Sequence, residues 1–142
     1  MLELGAIRML VDRGVTVICA AGGGIPVIAR VDGSLAGIEA IIDTDFASAL
    51  LARQLDADWS VMLTDVDAVY DGFGIAKAQA IAKATPAELQ ARQFAAGSMR
   101  PKVEAACDFA SATGGRAGIG RLNALAAILA GQAGATIAVA RS

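Results

Sequence analysis

The sequence predicts an α/β domain built on a mainly parallel sheet. Three observations carry this. Helical and extended patterns alternate along all 142 residues. The apolar runs are short, continuous and rich in β-branched residues, the form taken by strands covered on both faces. Finally, the run from Ser60 to Tyr70 begins as a buried strand and breaks within two residues into Thr64, Asp65 and Asp67. A parallel sheet presents polar groups to ligands at its carboxyl edge in this way.

Residues 2–13 place Leu2, Leu4, Ile7, Leu10 and Val11 at helical spacing and end at Gly14, so they predict an amphipathic helix. Val15 to Ala21 reads as a central parallel strand that ends in Gly22, Gly23 and Gly24. Three glycines after a strand let the backbone approach a ligand closely and turn amides toward an anion; a tight turn needing positive φ accounts for them equally well. Asp32-Gly33 between two short apolar runs, 27–30 and 35–38, predicts a β-hairpin.

A helix follows over residues 41–55, with Phe46, Ala49 and Leu50 expected on one face. Asp43 suits its N-cap, and Asp45 lies in the first turn, where two acids exceed the needs of a single cap. Strand 60–63 comes next, then a loop at Asp71–Gly74 and a stretch, 75–84, with no decisive pattern. Thr85-Pro86-Ala87-Glu88 is a capping box opening a helix to about Gln93. After a loop at 96–102, a long helix covers 102–113. A glycine-diluted strand at 116–120, a helix at 123–129 and a last strand at 136–140 complete the order.

Composition narrows the function. The chain is 56% hydrophobic with a mean hydropathy of +0.56. No window of about 18 consecutive apolar residues occurs, and the first residues do not read as a signal peptide, so no membrane role is expected. A net charge of -2, one Tyr and one Trp leave no nucleic-acid footprint. There is no histidine, which removes imidazole acid–base chemistry and His-based metal sites. Cys19 and Cys107 read as buried thiols in a reducing cytoplasm.

The triple glycine, Asp43 with Asp45, the Thr64–Asp67 run and Lys102 all fall after strands or at helix starts. Right-handed βαβ packing would bring them to one edge, where helix N-termini, amides and a lysine favour a polyanion. Phosphoryl transfer needs positioned positive charge and a group to hold it. Lys102 suits the first role and Asp45 the second. Neither a Gly-x-x-x-x-Gly-Lys-[Ser/Thr] loop nor Gly-x-Gly-x-x-Gly is present.

Together these residues resemble carbamate kinase, a member of the amino-acid kinase superfamily. The resemblance is carried by Ala20–Val27, Gly37–Ala52, Leu63–Tyr70, Phe94–Ala106 and Gly114–Gly120. It implies an αβα sandwich on an eight-stranded, mostly parallel sheet. It also implies phosphoryl exchange between ATP or ADP with Mg2+ and carbamate or carbamoyl phosphate, in the cytoplasm, with this chain as the C-terminal, nucleotide-binding portion. By the same resemblance Thr64, Asp65, Val66, Tyr70 and Met99 line the nucleoside pocket. Lys102 meets the transferring phosphates, Asp45 is the organising aspartate, and Gly22 to Gly24 lie near the phosphoryl path.

Three departures accompany the resemblance. Thr44 stands where the family has lysine, and Arg100 where it has glycine. The family's N-terminal half, with a further phosphate loop and lysine, has no counterpart here. A homodimer or a complementing N-terminal half is therefore expected as partner. The other readings are a non-catalytic nucleotide-binding module and a superfamily kinase for another carboxylate.

Overall fold

The computed structural model describes residues 1–140 except 73, 75, 76, 93, 95, 96 and 98. In chain order the elements are α1 (Leu4–Val11), a 3-10 turn (Ala21–Gly23), β1 (Val27–Ala29), β2 (Leu35–Gly37), α2 (Thr44–Gln54), β3 (Trp59–Thr64), β4 (Val69–Asp71), β5 (Gln79–Ile81), β6 (Lys83–Ala84), α3 (Pro86–Gln90), α4 (Met99–Thr113), β7 (Arg116–Arg121), α5 (Leu125–Leu129) and β8 (Ala135–Ile137).

The central sheet has the order β3-β7-β8-β6. β3 pairs with β7 and β6 with β8 in parallel, while β7 and β8 run antiparallel, so the sheet is mainly parallel. α4 lies on one face. Its Phe109, fully buried, belongs to the same core as Met62 of β3 and Ile119 of β7. α5 covers the other face, where the glycines of β7 find their purpose. A Cβ at Gly118 would stand 2.7 Å from Ile128, and one at Gly120 would stand 2.9 Å from it. The two bare positions let the buried Ile128 sit directly on the strand. Helices on both faces of one sheet make the expected αβα arrangement.

Local signals hold where they are strong. Asp43 caps α2 by accepting from the backbone N–H of Asp45 at 2.8 Å and of Phe46 at 3.4 Å. Thr85 and Glu88 form the capping box of α3. β1 and β2 form the hairpin, and Asp32 Oδ1 closes its turn by accepting from Ser34 N at 2.9 Å and Ser34 Oγ at 2.7 Å. Those donors hold the Asp32 carboxyl below its ordinary pKa.

Two expectations change. Residues 15–20 form no strand, and Ala21–Gly23 is a 3-10 turn. β-branched residues favour extended chain, yet a strand also needs a ladder neighbour, and none of the described strands pairs with this segment. Its apolar side chains are left outside the core: Ile18 is 95% exposed. The second is one of depth: α2 keeps Phe46, Ala49 and Leu50 on one side, yet only Ala49 of the three is buried, with Phe46 and Leu50 41% and 40% exposed. Ala49 belongs to the core that Val103, Ala106 and Phe109 of α4 also build. The stretch 75–84 without a clear pattern contains β5 and β6, and β5 pairs antiparallel with β4. The expected loop at 96–102 falls partly outside the described residues, and α4 begins within it, at Met99.

Candidate functional site

Three elements converge at the carboxyl edge of the sheet. α2 starts there with Asp43, Thr44 and Asp45. α4 starts there with Met99, Arg100, Pro101 and Lys102; Pro101 costs no intrahelical bond because a first-turn N–H has no acceptor. The glycine turn packs on the approach to α2. Gly23 has φ +89°, and a Cβ there would stand 2.0 Å from the carbonyl oxygen of Ile42. Only glycine allows this approach.

Lys102 Nζ donates to both carboxylate oxygens of Asp45, each at 2.9 Å. The side chains are 18% and 16% exposed, respectively. This pair fixes the start of α4 to the start of α2. The second acid of α2 therefore has a partner of its own, and capping is left to Asp43.

Thr64 ends β3 and is buried; its Oγ1 donates to Asp65 Oδ1 at 3.0 Å. Asp65 is exposed and Val66 half-buried. The Tyr70 hydroxyl donates to Asp67 Oδ1 at 3.1 Å. This bond, with a smaller effect of burial, raises the phenol pKa above its ordinary value. Met99 packs half-buried against the core. Lys102 with Asp45, and Gly23 with the residues before α2, are thus brought into contact, while Thr64 and Asp65 stand at the end of the neighbouring strand.

Arg100 does not join this group. It donates from Nε to Glu104 Oε1 at 2.7 Å and lines a cavity of about 580 Å³ with Leu89, Arg92 and Cys107, between α3 and α4. Two positions on a helix point to opposite sides, so Arg100 cannot follow Lys102 to Asp45. Cys107 is buried, and desolvation pushes its thiol up to about 11, which leaves it inert. Cys19, expected to be buried, is only half-buried. A second cleft, of about 700 Å³, lies at the opposite edge of the sheet, near Asp58 and Arg116.

Among the described residues no three His, Cys, Asp or Glu side chains converge as metal ligands, and both oxygens of Asp45 are engaged by Lys102. The residues as placed do not form a protein cage for a cation.

Sequence reasoning passed over Arg121. It is the last residue of β7 and the register partner of Thr64. Its position one residue beyond the glycine-diluted run, at a strand's carboxyl end, was the available signal.

A carbamate kinase from Rhizobium meliloti (strain 1021) is 47% identical over 137 residues, covering 95% of this chain and 42% of that protein. One from Escherichia coli O157:H7 is 47% identical over 138 residues, covering 97% and 45%. The structure of carbamate kinase from Giardia lamblia bound to AMP-PNP superposes with a TM-score of 0.92 at 37% identity, over 97% of this chain and 50% of that one. An N-acetylglutamate synthase from Neisseria gonorrhoeae shares the fold, with a TM-score of 0.67 at 21% identity. The chain spans about half the length of the curated relatives it matches. The family model described as amino acid kinase matches residues 2–121, and the chain belongs to that family.

Proposed function

We propose that this chain is the nucleotide-binding half of a carbamate kinase-type phosphotransferase, exchanging a phosphoryl group between ATP and carbamate, or carbamoyl phosphate and ADP. The observation that carries this is the Asp45–Lys102 pair, placed where two helices begin and beside the glycine turn.

A phosphoryl group in flight needs fixed positive charge more than covalent chemistry. Lys102 supplies an ammonium on a short tether, and Asp45 holds it at a defined point. Helix N-termini on both sides add partial positive charge. The turn at Gly22, Gly23 and Gly24 leaves backbone, without side chains, facing the phosphoryl path. Thr64, Asp65, Val66, Tyr70 and Met99 take the nucleoside. Mg2+ would come with the nucleotide, held chiefly by substrate oxygens, and would supply charge neutralisation at the phosphates. The setting is cytoplasmic.

The relatives are about twice as long as this chain, and in this reading a complementing N-terminal half completes the site. Exposed apolar side chains gather in the first half of the chain, and Ile18, Ile25, Val31 and Ile41 are all at least 87% exposed. Large apolar side chains left this far in solvent suit an interface. A complementing N-terminal half covers it in this reading, and a homodimer is the alternative.

Thr44 favours a second reading, a nucleotide-binding module without turnover. A hydroxyl stands at the exposed first position of α2 where the resemblance calls for an ammonium, and Arg100 is turned away. Thermal unfolding with Mg-ADP, followed by addition of carbamoyl phosphate, separates the readings. We expect stabilisation by ADP and no appreciable ATP formation by the chain alone, with turnover on adding the N-terminal half of a relative. Absence of any ADP effect sinks both readings. Rescue failing in the mixed halves favours the module.

A further inference from the structure

We propose that Arg121 is a phosphate-binding residue of the nucleotide site, a second cation beside Lys102. The inference rests on the nucleotide reading above. The parallel register pairs Ser60 with Ala117, Met62 with Ile119 and Thr64 with Arg121. Ala117, Ile119 and Met62 belong to the core under α4, so Arg121 leaves β7 on that same face, next to Thr64. α4 runs back over β7 from this edge, so its first turn, with Lys102, stands above the same spot.

The side chain is exposed, and among the described residues its guanidinium has no ion-pair or hydrogen-bond partner. The other arginines of the helical layer are engaged: Arg53 with Asp108, Arg92 with Asp71, Arg100 with Glu104. Arg121 is close enough to Tyr70 for its charge to oppose the Asp67-driven rise of the phenol pKa. It therefore overlooks the Thr64–Tyr70 loop. A planar guanidinium with free donors, at the carboxyl end of a parallel strand, matches phosphate oxygens in pairs. The anionic part of a nucleotide seated on Thr64 and reaching toward Lys102 passes within its sweep. The nearby acids Asp65 and Asp67 have partners already, in Thr64 and Tyr70.

The test compares ADP with adenosine, by calorimetric titration of the full chain, in wild type, Arg121→Ala and Arg121→Lys. Arg121→Ala is expected to weaken ADP about tenfold or more, to leave adenosine within about twofold, and to leave the melting temperature of the free chain unchanged. Arg121→Lys is expected to recover part of the ADP affinity. Equal losses for ADP and adenosine overturn the proposal, because the residue then acts on the nucleoside or through the acids. A variant that binds ADP as wild type does overturns this inference alone. A wild-type chain that binds no ADP overturns the nucleotide reading and this inference with it.

Discussion

Lys102 and Asp45, 57 residues apart in the chain, meet at 2.9 Å through both carboxylate oxygens. The contact ties two helix starts together and holds Lys102 in place at this edge.

Breaking the pair leaves a charge largely out of water. Lys102→Met or Asp45→Asn is expected to cost about 2 kcal/mol, less than a fully buried pair because both groups keep some solvent. The double variant should recover part of the loss, with a coupling of about 1–2 kcal/mol in urea unfolding. Strictly additive losses would show that the two side chains stabilise independently.

Gly23 tests the turn. In Gly23→Ala the new Cβ meets the Ile42 carbonyl oxygen at 2.0 Å, on a backbone at φ +89°. A loss of about 2–3 kcal/mol is expected. Gly22→Ala meets only the cost of positive φ (+66°), since nothing lies within 4 Å, and should lose about 1 kcal/mol. Equal losses in chemical denaturation would assign the whole effect to φ and none to the Ile42 contact.

Thr44→Lys places an ammonium in the first turn of α2. The helix dipole opposes it, and stability should fall by about 0.3–1 kcal/mol. Affinity for ADP should rise in return, if polyphosphate sits beside Asp45 and Lys102. A less stable variant with unchanged ADP affinity would place the phosphates elsewhere.

Glu88 offers a pH signature. Its carboxylate accepts from Thr85 N at 2.7 Å and Thr85 Oγ1 at 2.9 Å, and these bonds, the backbone one first, lower its pKa from 4.5. A lowered carboxyl pKa stabilises the fold above the unfolded value. That contribution disappears as pH falls through the folded value. The stability difference between wild type and Glu88→Gln should therefore be constant near neutrality and shrink below about pH 4.5. Thr85→Ala, which removes the cap itself, should cost about 1 kcal/mol. A difference that stays flat down to pH 3 would rule out the carboxylate as the origin.

The sequence by itself determined what local chemistry decides. The Asp43 cap, the Thr85–Glu88 box, the Asp32-Gly33 hairpin and the strand that ends at Thr64 all formed as expected, because each signal and its partner lie within a few residues. It also determined the family, since the motifs survive in order along the chain. Only the tertiary structure decided the rest. Val15–Ala20 carries the residues of a strand yet pairs with no described neighbour, because a ladder is a property of two segments. Phe46 and Leu50 share a side of α2 with Ala49, yet they stay 41% and 40% exposed while Ala49 is buried, since depth depends on what packs against the helix. Lys102 reached Asp45 across 57 residues, and Arg121 came to stand beside Thr64. Residues this far apart in the chain are placed by sheet register and helix packing, long-range terms that no short window of residues encodes.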